Sequence, residues 1–141
     1  MATNFYGFDH VDTRVRSLAA VEPFYDLLMP RLGLVRKRYA NVDGDEWSDA
    51  EPGGAYNAVE FYQERTGEGA PFFIGLIEDR AMQPTRTRIA FRVPRAELDG
   101  WRGFLAEIGA CNVEPSADPE AYPAIFFEDP AGTKLEVCAR K

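Results

Sequence analysis

The sequence predicts an α+β fold in which a βαβββ unit occurs twice. Together the two copies build a concave eight-stranded mixed sheet with one helix from each on its outer face. Three observations carry this expectation. Residues Phe8 to Arg16 alternate as a half-buried strand does and lead directly into a helical stripe. The same order begins again at Arg88, so the chain reads as an internal duplication, one copy over about residues 5–80 and the other over about 86–141. The last pair of strands, Ile125 to Val137, closes around Asp129-Pro130-Ala131-Gly132, where the proline fixes φ and the glycine accepts a left-handed bend.

Taken in order, the first strand puts His10, Asp12 and Arg14 on one side and Val11, Thr13 and Val15 on the other. Ser17 can cap a helix whose Leu18, Val21, Tyr25 and Leu28 form one apolar stripe. Pro23 is expected in its first turn, which places the start near Ala19 or later, and Pro30 with Gly33 marks its end. Leu34 to Val42 reads as a strand. Asp43 to Gly54 is acidic, aperiodic and rich in turn residues, so it reads as a solvated loop, and it lacks the central Gly and terminal Glu of a calcium loop. Tyr56 to Gln63 and Phe72 to Ile77 are strands joined by a turn over Glu64 to Pro71, and Ala81 to Thr87 is a connector. In the second copy Arg88, Ala90 and Arg92 alternate with Ile89, Phe91 and Val93. Pro94 then opens a helix with Leu98, Trp101, Leu105 and Ile108 on its stripe, and Cys111 to Pro115 precedes the final hairpin.

Size and composition bound the function. With 141 residues, 45% hydrophobic and 28% charged, the chain is expected to form a single domain with its own core. No apolar run reaches membrane-spanning length, and the first residues have no basic and apolar leader pattern, which makes a cytoplasmic protein the expectation. A net charge of −7 argues against a nucleic-acid partner. Cys111 and Cys138 have no metal-type spacing and read as free thiols.

The concave face is lined by the residues that alternate away from the helices. That set contains His10, Asp12, Arg14, Arg88, Arg92 and Glu136 among Phe73, Ile77, Ala90 and Cys138, which is the composition of a small-molecule site. Glu136 stands out because its neighbours Leu135 and Val137 are apolar, and a buried carboxylate requires a partner or a ligand. It reads as a metal ligand or as a general base assisted by His10, or else as the partner of Arg88. The three arginines suit a carboxylate, phosphonate or phosphate whose apolar part rests on Phe73 and Ile77. Mutual compensation with Asp12 and Glu136 is the other reading. Cys138 lacks a second histidine to activate it as a nucleophile, so it is taken as a lining residue.

On FDHVDTRVRSLAAVEPFYDLLMPRLGL, RIAFRV and FFEDPAGTKLEV the chain resembles the vicinal oxygen chelate superfamily, the glyoxalase/bleomycin resistance/dioxygenase group, over nearly its whole length. The resemblance implies that metal-dependent members would place four ligands at His10, Gly75, Arg88 and Glu136. Of these, His10 and Glu136 can bind a divalent ion, whereas Gly75 offers no side chain and Arg88 only a permanent cation. Arg88 equally breaks the His, His, Glu triad of the extradiol dioxygenases. The resemblance also implies a homodimer, with the cup completed between chains. Two functions follow: a binding protein similar to bleomycin-resistance proteins, with a degenerate metal centre and an anionic or partly apolar organic ligand, or a metal-dependent glyoxalase-like lyase, isomerase or dioxygenase using His10 and Glu136.

Overall fold

Side-chain alternation governs the first strand. In the computed structural model, which describes residues 6–64 and 71–140, β1 (His10–Val15) exposes His10 and Arg14 on one face while Val15 enters the core. Helix α1 (Leu18–Arg31) follows at once. The Ala20 N–H donates to Ser17 Oγ, and the Leu18 N–H donates to the Glu78 carboxylate, so the first turn finds acceptors for otherwise free donors. The helix starts earlier than expected, and Pro23 therefore lies inside it rather than in its first turn. The missing N–H removes one helical bond, at a cost on the order of 3 kcal/mol. Burial of Val21, Phe24, Tyr25, Leu28 and Met29 on one stripe offsets that cost.

The remaining strands of the first copy are β2 (Leu34–Asp43), β3 (Glu46–Asp49), β4 (Ala58–Gln63) and β5 (Phe73–Glu78). Strand β3 corrects the reading of Asp43 to Gly54 as loop throughout. Asp43 pairs with Glu46, leaving a two-residue hairpin turn whose first residue, Gly44, has φ +60. All four β3 residues are exposed, so no apolar alternation marks the strand. The turn expected over Glu64 to Pro71 lies, apart from its ends, outside the described residues. The second copy comprises β6 (Arg88–Arg92), a 3-10 turn (Arg95–Glu97), α2 (Leu98–Glu107), β7 (Cys111–Pro115), β8 (Ala124–Glu128) and β9 (Lys134–Cys138).

The strand orders are β1-β5-β4-β2-β3 and β6-β9-β8-β7. In both sheets the first and last long strands of the copy run parallel and the other pairs antiparallel, so the duplication extends to hydrogen-bonding topology. The α+β class and the two βαβββ-like units hold. The expected single eight-stranded sheet is replaced by two open sheets of five and four strands. One apolar core joins both, drawing Val21, Tyr25 and Leu28 from α1, Trp101 and Leu105 from α2, and Ile74, Leu76, Leu135 and Val137 from the strands. Among the described residues no helix is long and apolar enough to cross a membrane.

One polar contact crosses this core. The Tyr25 hydroxyl donates to Asp129 at 2.7 Å, and the Asp129 carboxylate also accepts from the Ala131 and Thr133 N–H groups. Both residues are buried, and burial beside Asp129 raises the Tyr25 pKa well above its ordinary value, so the phenol remains a donor. Tyr25→Phe is expected to lower unfolding free energy by about 1–3 kcal/mol, because it removes one donor from a buried acceptor. Urea denaturation at neutral pH checks this, with an unchanged m-value expected.

Candidate functional site

The inner face of the first sheet is a grid set by register. One row runs His10, Phe73, Tyr62, Arg36 across β1, β5, β4 and β2. The rings stack along it: His10 on Phe73 at 4.5 Å and 3°, and Tyr62 on Phe73 at 4.5 Å and 27°. The Arg36 guanidinium lies 4.4 Å from the Tyr62 ring centre. The next row runs Asp12, Gly75, Glu60, Arg38. Glu60 is only 4% exposed and accepts from Arg38 and from the Tyr62 hydroxyl, while Arg38 also bonds Asp49. His10 bonds Asp9 at 2.7 Å and lies 3.7 Å from Asp12. The Asp9 hydrogen bond raises the His10 pKa above 6.5, burial opposes it, and Asp12 and Glu60 add to the rise. Arg14, one row further along, is exposed and forms no ion pair among the described residues.

The second sheet holds the other candidates. Glu136 is 5% exposed and faces inward between the core residues Leu135 and Val137, as the alternation predicts. Its partner is not Arg88. The Tyr122 hydroxyl donates to Glu136 Oε1, and this bond, with burial and the neighbouring Cys138, pushes the Tyr122 pKa up to about 12. Arg88 instead lies over the Phe126 ring at 4.5 Å. The expected Arg88–Glu136 pair is thus replaced by a cation–π contact and a phenol–carboxylate bond, since the inner-facing Phe126 offers the guanidinium a ring face. Arg92 is exposed and forms no ion pair among the described residues, Cys138 is buried, and Cys111 is exposed. His10 and Asp12 in the first copy, and Arg88 and Glu136 in the second, make their contacts within their own copy. Where β1 approaches β6 and β9, Val11, Thr13, Ile89 and Lys134 line a cavity of about 80 Å³, too small for an organic ligand.

The four positions implied for metal ligands do not fit a divalent ion. Among the described residues no group of three or more His, Cys, Asp or Glu side chains is placed to hold one. At Gly75 the obstacle is steric as well as chemical: a Cβ there would sit 2.4 Å from Asp12 Oδ1. The near atom is the tip of the partly exposed Asp12 side chain, which would have to turn aside for any side chain on β5 at that position.

Glu60, Tyr62, Arg36, Arg38 and Tyr122 were not among the residues expected at the site. Glu60 carries the same signal as Glu136, a carboxylate between Val59 and Phe61 in an apolar run. Tyr122 sits in the loop before β8 and carries no periodic signal.

No protein-family model matches the chain, and no curated protein matches it in sequence. Solved structures do match in fold. A variant of the fosfomycin resistance protein FosX from Listeria monocytogenes, complexed with Mn(II) and 1S,2S-dihydroxypropylphosphonic acid, is 18% identical with a TM-score of 0.64, covering 97% of this chain and 92% of that one. FosX from Mesorhizobium loti is 15% identical with a TM-score of 0.59, covering 97% and 94%. A possible glyoxalase from Bacillus cereus is 18% identical with a TM-score of 0.61, covering 96% and 100%. The chain therefore has the vicinal oxygen chelate fold.

Two measurements test the first sheet. The chain has one histidine, so its ring protons titrate alone in an NMR spectrum. The midpoint is expected above 6.5 and should fall in Asp9→Asn. Because the folded value is the raised one, the stabilisation from His10 is full below 6.5 and is lost as pH rises through the folded midpoint. Gly75→Ala should cost about 0.5–1 kcal/mol by turning the partly exposed Asp12 carboxylate aside. In the Asp12→Ala background most of that cost should vanish, a non-additivity that a double-mutant cycle by denaturation reads directly.

Proposed function

We propose that this chain, with the fold of the vicinal oxygen chelate superfamily, is a small-molecule-binding protein that takes an anionic, partly apolar organic ligand on the inner faces of its sheets without a resident metal. The observation that carries the reading is the state of Arg14, Arg88 and Arg92. All three guanidinium groups are exposed on inward positions and form no ion pair among the described residues. Arginine forks left open beside aromatic rings suit a carboxylate or phosphonate on a partly apolar body. Phe126 lies under Arg88, and Phe73, stacked on His10, is a second ring on the inner faces. His10 and Glu136 are the ligand's proton-accepting contacts, and Asp12 and Cys138 complete the lining. The homodimer is part of the proposal, since each sheet is open and a second chain can close the cup.

Thermal stability separates this reading from the metal-dependent one, because a ligand that binds only the folded state raises apparent stability. Aromatic carboxylates and alkyl phosphonates at millimolar concentration are expected to raise the melting temperature of the native protein and to lose that effect in Arg88→Ala. Stoichiometric Mn(II), Ni(II) or Zn(II) should leave it unchanged. A metal-induced rise that disappears in Glu136→Gln overturns the proposal in favour of a lyase, isomerase or dioxygenase centre.

A further inference from the structure

The opposite side of the first sheet carries a cavity of its own. Along β2, Arg36 and Arg38 face inward, so Lys37 and Tyr39 point to the side that α1 covers, where Tyr39 stands opposite the core residue Val59. Lys37 bonds Glu22 and Asp26 of α1, and the Tyr56 hydroxyl donates to Glu22 at 2.7 Å. This holds the Tyr56 ring against Tyr39, with centres 4.8 Å apart and planes at 67°. The two tyrosines are 37% and 42% exposed, and they line a cavity of about 460 Å³ whose other wall is residues 50–54.

Hydrogen bonds fix that wall at both ends. The Ala50 N–H donates to the Tyr39 carbonyl, and the Asn41 side chain donates to the Ala55 carbonyl. Between them the Gly54 N–H donates to the Glu51 carbonyl at 2.8 Å, closing a turn through Gly53 at φ +72. The rings beside it keep faces free. Lys37 lies 4.7 Å from the Tyr39 ring centre and so takes one face, and the edge contact between the rings takes one more. Of four faces these contacts leave two, and whichever ring presents its edge, at least one of the two belongs to Tyr56.

Charge decides what suits the cavity. Among the described residues that line it Glu51 alone is charged, and around the rings Glu22, Asp26 and Glu51 outnumber Lys37. An anion is repelled there. One lining carboxylate is too few to hold a metal ion. An ammonium that keeps its N–H groups needs acceptors to replace its water, which ring faces do poorly. A fully alkylated ammonium spreads its charge over apolar surface, and ring faces with one nearby carboxylate meet its needs.

We propose that Tyr39, Tyr56 and Glu51 form a binding site for a quaternary ammonium ligand on the helix-covered side of the first sheet. The site is separate from the inner faces, and neither reading depends on the other.

Calorimetric titration of the full chain with choline and with 3,3-dimethylbutan-1-ol tests this, because the alcohol has the same shape with carbon in place of the charged nitrogen. Choline is expected to bind at millimolar concentration, about tenfold tighter than the alcohol. Glu51→Gln should weaken choline about threefold, Tyr39→Leu should abolish its binding, and Arg88→Ala should leave it unchanged. Glu51 is exposed in its turn, so its variant keeps the test open should Tyr39→Leu fail to fold. Equal affinities for the two probes overturn the recognition of charge. Choline binding that survives both Glu51→Gln and Tyr39→Leu unchanged, or that is lost in Arg88→Ala, overturns the site, as does the absence of choline binding.

Discussion

The structure depends on the buried carboxylate of Asp129. It accepts the Ala131 and Thr133 N–H groups inside the β8–β9 turn and the Tyr25 hydroxyl from α1, so it ties the last hairpin to the first helix. The turn fixes register, and register decides which residues face inward. A slip of one residue along β9 would send Glu136 into the core and turn Leu135 or Val137 outward. The bond to Tyr25 makes that slip costlier, because moving the turn would strand a buried phenol. The chemistry of the second sheet is thereby set by a hydrogen bond on its far side.

The elements that periodicity could mark were legible in the sequence. Alternation placed His10, Asp12 and Arg14 together, placed Glu136 inward, and revealed the duplication that the matching strand orders bear out. Periodicity is silent where every residue of a strand is exposed, as in β3, which only the turn at Gly44 could have signalled. It also misjudged Pro23, where tertiary burial outweighs a lost helical bond. At the site, sequence reasoning matched charges by family position and joined Arg88 to Glu136. Side-chain reach decides such pairings instead, and here Arg88 found Phe126 while Tyr122 arrived from a loop with no periodic trace.

The two sheets share a topology and differ in chemistry. On the first, stacked rings lie beside a carboxylate–guanidinium network in which Glu60, Arg38 and Asp49 satisfy one another. On the second, Arg88 and Arg92 form no ion pairs among the described residues, and Glu136 is held by a neutral donor. Duplication supplied one scaffold twice. The first copy pairs Arg38 internally but leaves Arg14 open, and the second pairs Lys134 with Glu128 but leaves Arg88 and Arg92 without ion pairs among the described residues.

The contact between Asp12 and Gly75 also couples two strands at the level of single atoms. A side chain entering at position 75 would turn the Asp12 carboxylate aside, and so move an acidic neighbour of His10. Any enlargement at position 75 would therefore alter the surroundings of His10 at the same time. Two adjacent residues on β1 and β5 thus behave as a coupled pair, in which the size of one side chain sets the orientation of the other.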